Sequence, residues 1–276
     1  ECAVHLAVSV VRGIYEEASK EPDQDRRAKI AAWAKTSETM AQISAMVNLA
    51  RGYLPRKTEH FDQHLTLFNV SNGTIDLATQ KIRPHDPADF LTKMSPAEFD
   101  PEATCPRWLT FLKRIFRTDP AIIGYLQAVV GYSLTGYTKE QMALILYGLG
   151  ENGKTTLIET LIALFGTGEY AAKASFETFL DSNKGGPRDA MAALAGSRLV
   201  VAAESAAGRN LNETLIKEAT GGDTTTARFL YKDWFSFVPQ FQLWMTTNNR
   251  PVIREQTHAM WRRLRLIRFA ETITPE

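Results

Sequence analysis

The sequence predicts an α/β protein: a parallel-sheet core preceded by a mainly helical N-terminal region that carries a small β-hairpin module. Three observations lead there. From residue 139 onward, short apolar runs alternate with amphipathic ones, as strands and helices do in a parallel sheet. One run, MALILY at 142–147, feeds directly into GLGENGKT and then into the amphipathic TLIETLIALFG. Ahead of them, residues 3–57 repeat apolar positions at helical spacing, and the period changes at His64. The expected divisions are 1–58 (helical), 59–105 (β-containing), 106–138 (helical linker or bundle) and 139–276 (core).

Taken in order, the elements have local causes. Glu21-Pro22-Asp23-Gln24-Asp25 breaks the first helix. Ser37 followed by Glu38 suits a new helix start, with Met40, Ile43, Val47, Ala50 and Leu54 on one face. LTLFNV, a Ser71-Asn72-Gly73 turn and TIDL read as two strands, and KIRP as a third. Pro84, Pro87, Pro96 and Pro101 punctuate an irregular stretch. Helices return at 106–117 and at 119–136, the second with Asp119 as cap and Pro120 at the first helical position. Within the core, strands are expected at 142–147, 198–203, 241–247 and 264–269, with a shorter one near Tyr170–Ala174.

Composition excludes more than it assigns. With 44% hydrophobic and 23% charged residues, the chain is globular rather than disordered or fibrous. A net charge of +1 gives no overall basicity, so a nucleic-acid site would have to be a local stripe or a channel made on assembly. Cys2 and Cys105 match no metal or redox spacing, and a reducing cytoplasm is expected. CAVHLAVSVV is too short for a membrane span and lacks a signal peptide's charged lead. Opening at Glu1, the chain reads as a segment of a longer protein. His60 and His64 stand four apart, but no third ligand at metal spacing accompanies them.

GLGENGKT at 148–155 fits G-x-x-x-x-G-K-[ST] in full. Such an order suits a phosphate. Gly148 and Gly153 permit torsions that turn backbone N–H groups inward, and the helix start adds its partial positive charge. Lys154 is expected at the β- and γ-phosphates, Thr155 on Mg²⁺, and Thr156 at the α-phosphate. Gly150 and Asn152 complete the expected nucleotide contacts.

Downstream motifs narrow the chemistry. RLVVAAES places Glu204 at a strand's carboxyl end, 50 positions after Lys154, where a carboxylate can polarise an attacking water. FQLWMTTNN ends in Asn248 and Asn249, 44 and 45 positions further on. The Asn248 amide suits a γ-phosphate or lytic water, although Asn-Asn before Arg-Pro also suits an ordinary turn. In MWRRLRLIRF, Arg265 and Arg268 fall within the final strand as structural residues. Arg262 and Arg263 precede it, where a guanidinium can reach a neighbouring subunit's γ-phosphate; Arg263 is preferred, and a solvated basic face is the alternative.

Together GLGENGKTT, RLVVAAES, LNETLIKEATGGDTTTARFLYKDWFSF, FQLWMTTNNRP and MWRRLRLIRF resemble the successive motifs of superfamily 3 helicases, in the poxvirus-type and phage/plasmid primase branch. LFNVSNGTIDLATQKIRPHDPADFLTKMSPAEFDPEATCPRW is similar to the module that precedes the ATPase there, so the likeness spans residues 60–271. The resemblance implies an AAA+-like P-loop ATPase core and a hexameric ring, with ATP and Mg²⁺ between neighbours. It implies a replicative helicase acting on single-stranded or forked DNA, in the cytoplasm of a bacterial or phage-infected cell, with a primase or polymerase domain elsewhere in the full-length protein. Lys154 and Thr155 would form the P-loop pair, Glu204 the acidic residue that also holds metal, Asn248 the sensor, and Arg263 or Arg262 the residue acting in trans. A hairpin with arms TTTARFL and FSFV would grip DNA through Lys232, with Arg228 as a second contact. One departure stands out: Ala203 precedes Glu204 where the family's acidic motif has Asp. That departure also suits a nucleotide-gated DNA-binding or replication-initiation module with little unwinding activity.

Overall fold

The computed structural model describes residues 2–53, 60–180, 187–203, 210–229, 233–250, 253 and 257–273, with backbone alone for Cys2, Pro187 and Arg188. The chain divides into two compact units, Glu1–His60 and Phe61–Glu276.

In the first unit, α1 (Cys2–Lys20) packs on α2 (Gln24–Ser37) and α3 (Met40–Tyr53). The face that α1 buries is Ala7, Val11, Ile14 and Ala18, a stripe at helical spacing. The helix stops ahead of Pro22, and Asp23 caps α2 by accepting the Arg26 N–H at 2.8 Å. Ser37 does not open a helix as expected; it closes α2. Glu38 N–H donates to the Ala34 carbonyl at 3.0 Å, and α3 begins two residues later, with Ile43 N–H on the Thr39 carbonyl at 3.0 Å. Ile43 is buried and Met40 exposed.

The second unit begins with a three-stranded antiparallel meander, β1 (Leu67–Val70), β2 (Gly73–Asp76) and β3 (Lys81–Arg83). Next come α4 (Pro106–Ile115) and α5 (Ala121–Leu134). Pro120 occupies the cap position of α5 rather than its first turn, and the Asp119 carbonyl accepts the Ile122 N–H at 3.2 Å. Then β4 (Ala143–Tyr147), α6 (Lys154–Phe165), β5 (Ala171–Ser175), α7 (Pro187–Ala192), β6 (Leu199–Ala203) and α8 (Glu213–Gly221) alternate. A two-stranded hairpin follows, β7 (Thr225–Ala227) paired with β8 (Phe235–Phe237). The described chain closes with β9 (Gln242–Thr247), α9 (His258–Trp261) and β10 (Leu264–Arg268).

The core sheet is parallel throughout, in the order β10-β4-β9-β6-β5. Its side chains alternate between two apolar layers. Leu144, Leu146, Val201, Trp244 and Ile267 join α4, α5, α6 and the meander residues Phe68 and Val70. Ala143, Ile145, Val200, Met245 and Leu264 join α7 and α8 on the other face. Coverage on both faces is why these strands read as unbroken apolar runs.

The meander is held to the core by polar contacts as well as packing. Phe68 stacks on Tyr170 with ring centroids 4.3 Å apart, and the Tyr170 hydroxyl accepts the Asn69 N–H at 3.1 Å. Arg198, just ahead of β6, is 2% exposed and donates to the His64 and Leu65 carbonyls at 3.0 and 3.3 Å. Burial lowers its pKa, and the opposing pull of Tyr170 and Asp62 does not offset the loss of water around a guanidinium whose hydrogen bonds go to backbone carbonyls. Gly136 lets the seam close. Its N–H donates to the Leu65 carbonyl at 2.8 Å, and a methyl group there would collide with the Arg198 guanidinium. Gly136→Ala should therefore destabilise the second unit by about 1–3 kcal/mol, the usual cost of overpacking. Urea denaturation checks this, as a lower midpoint at unchanged slope.

Candidate functional site

β4 leaves the sheet at Tyr147 and passes through residues 148–153 into α6, so GLGENGKT occupies a strand–loop–helix turn. Two of its glycines are required by their surroundings. Gly148 has φ +151°, and a Cβ there would run into the Phe269 carbonyl. Gly153 has φ +85°, and its Cβ would lie 2.8 Å from Ile115 Cγ2 and 3.1 Å from Phe111 Cε2. Gly150 faces open space, so neither crowding nor a left-handed torsion demands glycine at that position.

Lys154 is 8% exposed and turns back into the loop. Its ammonium donates to the Gly148 carbonyl at 2.5 Å, to Asn152 Oδ1 at 3.0 Å and to the Leu149 carbonyl at 3.4 Å. Burial lowers its pKa, because neutral oxygens replace water without supplying a counter-charge. Asn152 is itself buried; its Nδ2 donates to the Leu149 carbonyl and, at 3.4 Å, to that of Phe269. Thr155 and Thr156 are exposed on the first turn of α6.

The segment after β10 lies across this loop. Phe269 N–H donates to the Tyr147 carbonyl at 2.8 Å, and Ile273 N–H to the Glu151 carbonyl at 2.6 Å. Glu271 between them pairs with Arg117 at 3.0 Å. Loop and crossing segment border a cavity of about 290 Å³, lined also by Asn248 and Asn249 from the end of β9 and by Arg250 and Arg268. Parallel register explains the gathering, because Thr247 and Arg268 both pair with Tyr147. Ligand groups collect at such strand ends.

The expected site residues are thus divided. Gly148, Asn152 and Asn248 line the cavity, and Lys154 bonds to that rim. Glu204 follows the end of β6 and lies outside the described residues, as does Lys232. Arg228 stands 4.7 Å over the Trp234 ring, where the chain leaves β7 and re-enters β8 at the loop end of the hairpin. Arg262 and Arg263 precede β10, at the amino edge of the sheet. Arg263 and Arg268 are five residues apart on extended chain, about 16 Å. The adjacent arginines differ sharply. Arg262 is exposed and donates to Gln141 Oε1 at 2.5 Å. Arg263 is 9% exposed and donates to the Ala259 carbonyl at 2.8 Å, with its Nε unpartnered. Burial, then the charge of Arg262, lowers the Arg263 pKa. Sequence reasoning missed Arg250 and the placement of Arg268, since both depend on strand register. Arg250 lies over the Tyr147 ring at 5.1 Å and donates to its hydroxyl at 3.0 Å.

This arrangement defines a class: parallel α/β proteins with a glycine-rich loop at the carboxyl end of an inner strand. Comparison with known proteins narrows it. Residues 2–117 match a family described as D5 N terminal like, and residues 146–263 match one described as of unknown function, DUF5906. The chain belongs to the D5-like primase–helicase family of phages and viruses. It is 30% identical over 221 residues to a protein of Acanthamoeba polyphaga mimivirus named "Putative helicase L207/L206", covering 79% of this chain and 23% of that one. To "Putative helicase 184R" of Invertebrate iridescent virus 6 it is 28% identical over 225 residues, 78% of this chain and 23% of that one. The chain thus spans about a quarter of the length of these relatives. Among solved structures it is similar to the apo NrS-1 C terminal region, at 17% identity and a TM-score of 0.47, covering 64% of this chain and 40% of that one. Among the described residues no helix is long and apolar enough to cross a membrane.

Gly153 yields the local test. Gly153→Ala forces a side chain into the left-handed region and against Ile115, which should cost about 1–3 kcal/mol. A lowered thermal midpoint in the absence of any ligand checks it; an unchanged midpoint would mean that the loop can relax away from α4.

Proposed function

We propose that this chain is the ATP-hydrolysing helicase module of a replicative primase–helicase, of superfamily 3 type, with each ATP site shared between neighbouring subunits of a hexameric ring that moves single-stranded or forked DNA. The observation that carries the proposal is the junction of β4 and α6, where a glycine-bounded loop, a buried lysine and the end of β9 meet around one cavity.

The residues fit a nucleoside triphosphate. Gly148 and Gly153 leave no room for a Cβ, so the backbone itself would face the phosphates. Lys154 exchanges carbonyl partners for β- and γ-phosphate oxygens, with Gly150, Asn152 and Thr156 completing the contacts. Thr155 and Glu204 would hold Mg²⁺, which when bound neutralises developing phosphate charge. With Ala203 in place of the usual Asp, Glu204 carries both tasks. It takes a proton from water while the water oxygen attacks the γ-phosphorus, the bond to the bridging oxygen breaks, and ADP and phosphate leave. Asn248 orients that water. Arg228, just after β7, and Lys232, between β7 and β8 in the sequence, supply sequence-independent contacts to the DNA backbone.

Arg262 and Arg263 lie at the sheet edge opposite the loop, so a role at the phosphate requires a neighbour's site. Exposure favours Arg262, whereas Arg263 is committed to α9. Lys154→Ala and Arg262→Ala chains should each be nearly inactive. Mixing them should restore part of the ATPase, because one intact interface can form from two defective partners. Arg263→Ala should instead lower the thermal midpoint. The absence of recovery at every mixing ratio would sink trans action. Nucleotide binding without DNA-stimulated turnover would favour the nucleotide-gated binding module.

A further inference from the structure

Arg268 differs from the other arginines near the cleft. It is the last residue of β10 and pairs in register with Tyr147, one residue before the glycine-rich loop. It is exposed, and it lines the cavity that Gly148, Asn152 and Asn248 border. The layer formed by α7 and α8 covers Leu264 on the same face of β10, but Leu266 is 39% exposed, so that cover ends before Arg268. Among the described residues the Arg268 side chain has neither an ion pair nor a hydrogen-bonded partner. Glu271, the one carboxylate in the lining and so the one nearby group able to neutralise it, is bound to Arg117 at 3.0 Å. A guanidinium on a residue that lines this cavity, with no anion of its own among the described residues, has a fork geometry that matches phosphate oxygens.

We propose that Arg268 binds the polyphosphate of the nucleotide held by the loop of its own subunit, acting in cis from the strand beside the loop. This rests on the nucleotide-binding reading above. Arg268 thereby complements the trans residue at the other end of β10: the strand ends in a guanidinium for its own subunit's site, and the guanidinium for a neighbour's site precedes its start at residue 262. Being exposed and unpaired, Arg268 contributes little to stability.

The test is the affinity of the full chain for ATP carrying a fluorescent ribose label, in Mg²⁺, read by anisotropy. Arg268→Ala should weaken binding about tenfold or more, the scale of a lost charge-assisted contact. Arg268→Lys should recover part of the loss, and both variants should keep the wild-type thermal midpoint. The loss should be equal in dilute protein and in protein concentrated enough to self-associate, since the contact lies within one chain. Wild-type affinity in Arg268→Ala, or a loss confined to the concentrated protein, overturns the cis assignment and leaves the nucleotide site standing. A wild-type chain that binds no ATP overturns both.

Discussion

Strand β4 is hydrogen-bonded to β10 on one edge and β9 on the other, and its side chains are buried alternately in two apolar layers. A strand confined in this way cannot slip in register without moving every side chain to the wrong face. Its carboxyl end is therefore a fixed point, and the positions of the loop, of Asn248 and of Arg268 are all set relative to Tyr147. The same constraint separates the arginines. Those at the start of β10 are held away from the loop by the length of the strand, and the one at its end is held beside it.

The loop itself is not left to its own torsional preferences. The chain after β10 crosses it, donating from Phe269 to the strand that enters it and from Ile273 to Glu151 at its far side. Arg117 anchors the crossing segment through Glu271, while Ile115 and Phe111 of α4 press on Gly153. Side chains from α4 and backbone from the crossing segment thus bracket one turn, and the two glycines stand where each approaches closest. Asn152 ties the arrangement together, since its amide reaches both the loop carbonyl of Leu149 and the crossing carbonyl of Phe269. Preorganisation of this kind is what a phosphate cradle built from backbone requires.

The core was largely legible in the sequence. Burial on both faces writes β4, β6 and β9 as plain apolar runs, and the glycine-rich motif between strand and helix marks the loop. Helix ends were less legible. Ser37 and Glu38 satisfy the preferences of a helix start, yet the same residues continue α2 to its end, because local capping chemistry does not reveal which side of a turn it serves. Proline tolerates both the cap and the first turn, which shifted the start of α5. Arg262 and Arg263 are indistinguishable in a string of letters; only the local backbone decides that one is buried against the Ala259 carbonyl and the other faces outward. Arg268 was assigned to structure because a strand interior is where it falls in the pattern. Its place at the cavity follows from pairing across the sheet, a long-range fact.

Lys154 already satisfies its three donors within the loop, on the oxygens of Gly148, Leu149 and Asn152. A small anion that offers one or two acceptors would gain little by drawing the ammonium away, because it must replace three contacts made by a residue that is 8% exposed. On the proposed function, the ligand that draws the lysine out would be one with many oxygens along an extended chain, able to meet the lysine, the helix start and the loop amides together. A lysine closed in this way at rest would then sort anions by their number of acceptors rather than by their charge.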